Sequence, residues 1–215
     1  MNGPYAKRIL QSYAEQGIWP KWYSKKRWRD SPFEFVESFV PKEGSILDIG
    51  CGYGLFASLL AVSSQKRSVC GVDIDPRRIN VAQQSATDKP NLQFHCIAFD
   101  EIKPIPAYNA IIFFDVLHHL SEEQQETMIQ ESYTRLLPEG LILIKDVSTR
   151  PRYKYLWNYL ADSMTGLLNI TSGSTLHYRS PENMLGLLKK NNFHSEVFEV
   201  HKRGLYPHIL YRGIK

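Results

Sequence analysis

Three groups of residues have the types and spacing that chemistry requires. The first is Asp48-Ile49-Gly50-Cys51-Gly52-Tyr53-Gly54, an acid two positions ahead of alternating glycines. Glycines at such a turn admit positive φ and let a ligand reach the backbone without meeting a Cβ. A helix opening directly behind them offers free N–H groups and a partial positive charge. The second is Asp73, which closes an apolar run before Ile74-Asp75-Pro76. It lies about twenty residues past the glycines, where an acid in an open parallel sheet can accept ribose hydroxyl protons. Asp75 reads differently, as a helix N-cap with proline at the first helical position. The third is Asp115-Val116-Leu117-His118-His119, together with Lys145-Asp146. Imidazole titrates near neutrality and suits general-base work, so His119, with His118 behind it, is the catalytic candidate. The competing reading is that one histidine packs under a ligand and the other caps the next helix. Strand alternation sends Lys145 and Asp146 to opposite faces, and burying either is costly unless it is paired. Lys145 then either holds an acceptor's carboxylate or phosphate, or joins a structural ion pair.

The glycine turn discriminates between ligands. A dinucleotide turn follows GxGxxG, and the position of its third glycine is Leu55 here. A carboxylate at Asp48 would repel a pyrophosphate and attract the α-ammonium of a methionine moiety. The pattern therefore favours S-adenosylmethionine over NAD, with Asp48, Gly50, Cys51, Gly52, Gly54, Asp73 and Ile74 as cofactor-binding residues.

These residues need elements to position them. Short apolar runs at Ser45–Ile49, Ser68–Asp73, Leu92–Cys96, Ala110–Phe114 and Leu141–Val147 predict strands buried on both faces. Helical patterns at Leu55–Ser64, Pro76–Thr87 and Glu122–Leu137 lie between them, the last opened by a Ser121/Gln124 capping box. This order predicts a parallel sheet with helices on both faces. Residues 1–44 form an N-terminal helical and basic arm, in which Ser31-Pro32-Phe33-Glu34 predicts a capped helix through Val40. The cofactor-binding core is 45–149. An aromatic helical insertion at 150–180 suits a lid or acceptor wall, or a helix simply packed on the sheet. The remainder, 181–215, reads as a helix to about Lys190 and two β-like runs, Ser195–His201 and Pro207–Ile214.

The 215 residues, 43% of them hydrophobic, fit one domain with a substantial core. No apolar run approaches the ~20 residues of a membrane span. Cys51, Cys70 and Cys96 form no CxxC pair, which argues against a disulfide framework or a zinc site and favours a reducing cytoplasm. The net charge of +4 permits an anionic partner without requiring one. Basic and aromatic residues interleave from Lys21 to Arg29, which suits an anionic membrane, an acidic carrier, nucleic acid, or an arm folded over the cofactor.

From Ile46 to Val147 the chain resembles the class I S-adenosylmethionine-dependent methyltransferases of the small-molecule type. Asp48 to Gly54 resembles their first motif and Gly71 to Pro76 their second. Asn109 to Leu120 resembles the fourth-strand motif, and Leu136 to Leu141 the turn into the fifth strand, with Glu139 where glycine is common. The resemblance implies a Rossmann-like α/β fold: a seven-stranded, mostly parallel sheet with an antiparallel last strand. It also implies that Asp115 lines the methionine end of the cofactor. Many relatives bind the adenine amino group through an acid just after the third strand. That position is Ala98 here, which leaves Asp100 as the candidate. Motifs for amino-group methylation and for cytosine-carbon methylation are absent. The expectation is therefore O- or C-methylation of a small-molecule, lipid-like or carrier-bound acceptor, with nucleic acid disfavoured. The alternatives are a nucleic-acid methyltransferase and a non-catalytic cofactor-binding module.

Overall fold

The computed structural model describes residues 5–103, 105, 107–147, 176–200 and 208–215. The seven strands are β1 (Gly44–Ile49), β2 (Arg67–Asp73), β3 (Leu92–Cys96), β4 (Tyr108–Phe114), β5 (Leu136–Val147), β6 (His194–Val200) and β7 (His208–Ile214). They form one sheet in the order β3-β2-β1-β4-β5-β7-β6. β1 to β5 are parallel, and β7 runs antiparallel to both neighbours. The strand order reverses between β1 and β4, so the crevice beyond their carboxyl ends is the natural ligand position.

Strand alternation builds a core on each face. Ile46, Ala110, Ile112, Phe114, Leu141 and Leu143 face one way and meet α1 (Ala6–Ala14), α3 (Phe33–Glu37), α4 (Leu55–Ser63) and α5 (Pro76–Ser85). Leu47, Ile49, Ile111, Phe113, Ile142 and Ile144 face the other way and meet α6 (Glu122–Arg135) and α7 (Pro181–Lys190). The N-terminal segment shares the first core through Ile9, Tyr13, Trp28, Phe33 and Val36. The Tyr13 hydroxyl donates to the Tyr53 carbonyl at 2.7 Å and so ties α1 to the glycine turn. Among the described residues no helix is long and apolar enough to cross a membrane.

Several boundaries differ from the sequence expectation, each for a local reason. The basic aromatic run is a helix, α2 (Ile18–Asp30), with Pro20 in its first turn, where no intrahelical donor is needed. The cap at Ser31 does not open the next helix. Ser31 terminates α2, its N–H bonding to Arg27, and α3 starts behind Pro32 without a side-chain cap and ends at Glu37. α6 stops at Arg135 because Leu136 already pairs with Tyr108 across a bulge, where Glu139 takes a φ of 60°. The caps at Ser121 and Asp75 form as expected, and Ser180 caps α7. Most of the insertion, residues 150–175, lies outside the described residues, as do 148–149 and 201–207.

The glycine turn sets a stability test. Gly54 has φ +75°, and a Cβ there would sit 2.3 Å from Phe94 Cζ; Gly52 has φ +57° but open space around it. Gly54→Ala should therefore cost backbone strain plus overpacking, roughly 2–4 kcal/mol. Gly52→Ala should cost strain alone, roughly 1–2 kcal/mol. Urea unfolding of both variants checks this, and equal losses would exclude the Phe94 contact as the constraint.

Candidate functional site

A cleft of about 720 Å³ opens at the carboxyl edge of the sheet, across the point where strand order reverses. Its floor is the turn after β1. Gly50, Cys51, Gly52 and Tyr53 line it, and so do Asp48, Asp73, Ile74, Asp115, His118 and His119. The structure thus brings together all but two of the expected site residues. Gly54 is absent from the lining because it faces Phe94 in the core. Asp100 lies exposed in a short 3-10 turn and is likewise absent, whereas its neighbours Ile97 and Phe99 line the cleft.

Asp48 is 1% exposed, and neither of its oxygens has a partner in hydrogen-bond geometry. Burial pushes its carboxyl up to about 8; the nearby Ala57 amide offsets this in part, and the charge of Asp73 adds to it. A cation is the ligand group that would relieve such a site. Asp73 is placed by backbone donors: Gly52 N–H reaches one oxygen and Asp75 N–H the other, each at 2.9 Å. These bonds fix the carboxylate beside the glycine turn while leaving it further acceptor capacity. At Gly52, the space a side chain would fill is open. An ammonium against Asp48, a diol against Asp73 and a flat base between Ile97 and Phe99 are therefore compatible with this donor set.

The opposite wall carries the charged residues. Asp115 follows β4 with a φ of 57° and accepts from Arg27 of α2 at 2.5 Å and from Lys145 of β5. Burial opposes ionisation there, but Lys145 and Arg27 hold the carboxyl far below the usual range. Both cations also lie near the Phe114 ring. His208, at the start of β7, bonds the Asp30 carbonyl through Nε2, and burial and Lys145 push it down to about 3. Lys145 and Asp146 thus belong to different pairs, as their opposite faces require. Asp146 lies 2.6 Å from His118 Nδ1.

His118 is fixed from several sides. Tyr178 stacks on its ring at 4.9 Å and 11°, and its backbone carbonyl accepts from His177 N–H. Gln125 bonds the carbonyls of Leu117, Leu120 and His177, which holds the turn. His119 packs 4.1 Å from His118, and burial with its neighbour's charge pushes it down to about 4. Adjacent residues of an extended strand diverge, yet both histidines line the cleft, because a 3-10 turn at Leu117–His119 replaces extended backbone.

Sequence reasoning offered an arm folded over the cofactor as one reading of the basic aromatic run, without singling out Trp19, Tyr23, Lys26 and Arg27, which line the cleft from α2; it missed His208. The basic aromatic run was visible, but its partner Asp115 lies 88 residues away. His208 had no local signal.

Comparison with known proteins agrees with this geometry. Residues 46–140 match a family described as "Methyltransferase domain". The yeast (Saccharomyces cerevisiae) mitochondrial ubiquinone biosynthesis O-methyltransferase is 26% identical over 54% of this chain and 38% of its own length. The Rickettsia bellii ubiquinone biosynthesis O-methyltransferase is 25% identical over 70% of this chain and 62% of its own length. The chain thus spans about two fifths to three fifths of those relatives. The solved structure of magnesium protoporphyrin IX methyltransferase from Synechocystis, with bound S-adenosylhomocysteine, shares the fold. Its TM-score is 0.65 at 17% identity, covering 90% of this chain and 84% of that one.

The ribose contact is open to test by calorimetry with S-adenosylhomocysteine. Asp73→Ala removes hydrogen bonds to an ionised acceptor, worth roughly 2–4 kcal/mol together. Affinity should fall by tens- to hundreds-fold while the melting transition stays cooperative. Unchanged affinity in a folded variant would remove Asp73 from the site.

Proposed function

We propose that residues 46–140, which match a methyltransferase domain, form a class I S-adenosylmethionine-dependent methyltransferase domain and that this chain methylates a hydroxyl oxygen on a small or lipid-like acceptor. The observation that carries the reading is His118, which lines the cleft that also holds Asp48 and Asp73 and pairs with Asp146. Cofactor and acceptor then share one crevice, and the chain acts as a single unit because α1 to α3 share their core with the sheet. The ubiquinone O-methyltransferase relatives support a hydroxyl acceptor. The free cysteines suit a reducing cytoplasm.

S-adenosylmethionine, when bound, supplies a methyl group on a sulfonium and leaves as a neutral thioether that needs no acid. Asp48 holds the ammonium end, and Asp73 the ribose. Ile97 and Phe99 wall the base and exclude water. With Asp146 ionised, His118 Nδ1–H donates to it, so Nε2 keeps its lone pair. An acceptor hydroxyl presented to Nε2 loses its proton there, and Asp146 stabilises the imidazolium that forms. This assigns the base to His118 rather than His119. No described side chain hydrogen-bonds the His119 ring, and its depressed basicity suits packing better. Asp115 keeps Arg27 and Lys145 at the acceptor wall. Most of the remaining work is approach geometry.

The test begins with methyl-labelled cofactor and a cell extract separated into small-molecule, lipid, protein and nucleic-acid fractions. Label should enter the small-molecule or lipid fraction. With that acceptor, His118→Ala should lower turnover by roughly a hundredfold or more and abolish the acidic limb of the pH–rate profile. Asp146→Asn should cost roughly 10- to 100-fold. His119→Ala should change turnover only a few-fold, and S-adenosylhomocysteine affinity should hold in all three. Label confined to nucleic acid, or cofactor binding without turnover on any fraction, contradicts the proposal. Near-normal turnover of His118→Ala would leave approach geometry alone and remove the base.

A further inference from the structure

The α2 helix presents three strips at helical spacing. Ser24 and Trp28 are buried. Trp19, Tyr23, Lys26 and Asp30 line the cleft. The third strip faces outward and starts with Ile18 and Trp22, which are 90% and 52% exposed, followed by Lys25. Trp19 is itself 48% exposed, and its ring lies 5.3 Å from that of Trp22. The first turn and a half of the helix therefore carries three large apolar side chains in water at the rim of the cleft.

The charges are arranged to match. Lys26 and Arg29 pair with Asp30, and Arg27 with Asp115. Among the described residues Lys21 and Lys25 form no ion pair, and both are exposed. They sit within about one turn of the apolar tip. The first turn contains no acidic residue. Along the helix the order is Ile18, Trp19, Lys21, Trp22 and Lys25, so lysines alternate with an aliphatic tip and two indoles. That composition is the one of an interfacial element, in which apolar groups seat below the headgroups, tryptophan sits at the boundary and lysine snorkels to anionic phosphates. An RNA-binding strip would use the indoles and lysines but give Ile18 no partner.

We infer that the amino-terminal half of α2 docks on an anionic lipid bilayer, seating Ile18 and Trp22 at the interface with Lys21 and Lys25 against lipid phosphates. The neighbouring strip then sets the cleft rim, at Trp19 and Tyr23, against the membrane, where a lipophilic acceptor partitions. The docking surface stands apart from the catalytic assignment, since it is read without any acceptor.

Vesicle co-sedimentation with the full chain tests this. The probes are sucrose-loaded vesicles of phosphatidylcholine alone and of phosphatidylcholine with phosphatidylglycerol. The chain should pellet with the anionic vesicles, release as salt rises, and stay largely in solution with the neutral ones. Lys21→Gln/Lys25→Gln should weaken partitioning by roughly thirtyfold, at about tenfold or less per lysine. Ile18→Ser/Trp22→Ser should weaken it at least as much and remove any blue shift of tryptophan emission on binding. Melting temperature and S-adenosylhomocysteine affinity verify that both variants remain folded, and neither pair lines the cleft. No binding to anionic vesicles at millimolar lipid overturns the inference. So does binding that both double variants retain, or salt-sensitive binding to single-stranded RNA without vesicle binding.

Discussion

Burying a carboxylate is costly unless donors or cations meet it, and this sheet places four of them along one edge. Asp48 lies at the end of β1, Asp73 closes β2, Asp115 follows β4 and Asp146 lies near the end of β5. Three are satisfied within the chain, each differently. Asp73 takes backbone amides of Gly52 and Asp75, Asp115 takes Arg27 and Lys145, and Asp146 takes His118. Asp48 has no such partner. Most of the site's local structure follows from how each acid is met. The amides that reach Asp73 hold the glycine turn, and the imidazole that reaches Asp146 is held in one orientation.

The same constraint places the amino-terminal helices. Without Arg27, Asp115 would keep Lys145 alone as its cationic partner, and Arg27 can reach it only if α2 lies across the cleft. Aromatic packing then locks that position. Phe33 contacts Trp28, Phe56 and Phe114 with ring centroids 5.0–5.7 Å apart. A segment that looks like a detachable basic arm is thereby committed to the site. One strip of it lines the cleft, and another faces outward.

How far the sequence revealed this depends on whether each signal is local. The β1 turn, Asp73 and the Asp75 cap were legible because strand, acid, glycine and helix adjoin along the chain. The alternation of buried runs gave the parallel sheet, and the family pattern supplied the antiparallel β7. What escaped was tertiary pairing. Lys145 and Asp146 are adjacent yet answer to Asp115 and His118, each about 30 residues away. Sequence reasoning preferred His119 over His118; a 3-10 turn brings both rings into one cleft, and among the described residues it is His118 that hydrogen-bonds a carboxylate. Asp100 was proposed from a motif position, but the 3-10 turn at Phe99–Glu101 sends Phe99 inward and leaves Asp100 in water.

The partner proposed for Asp48 is the ammonium end of the cofactor. Its carboxyl, pushed up to about 8 by burial, is largely protonated at neutral pH in the free protein. A raised acid binds more protons folded than unfolded, so it lowers stability progressively as pH rises from about 4 to 8. An arriving ammonium favours the carboxylate and expels that proton. Calorimetry of S-adenosylhomocysteine binding, repeated at pH 7 in buffers of different ionisation enthalpy, counts protons released. The expected result is release approaching one proton per site at pH 7, shrinking above pH 8 and absent in Asp48→Asn. Binding with no proton release at pH 7, or with the same release in Asp48→Asn, would contradict it.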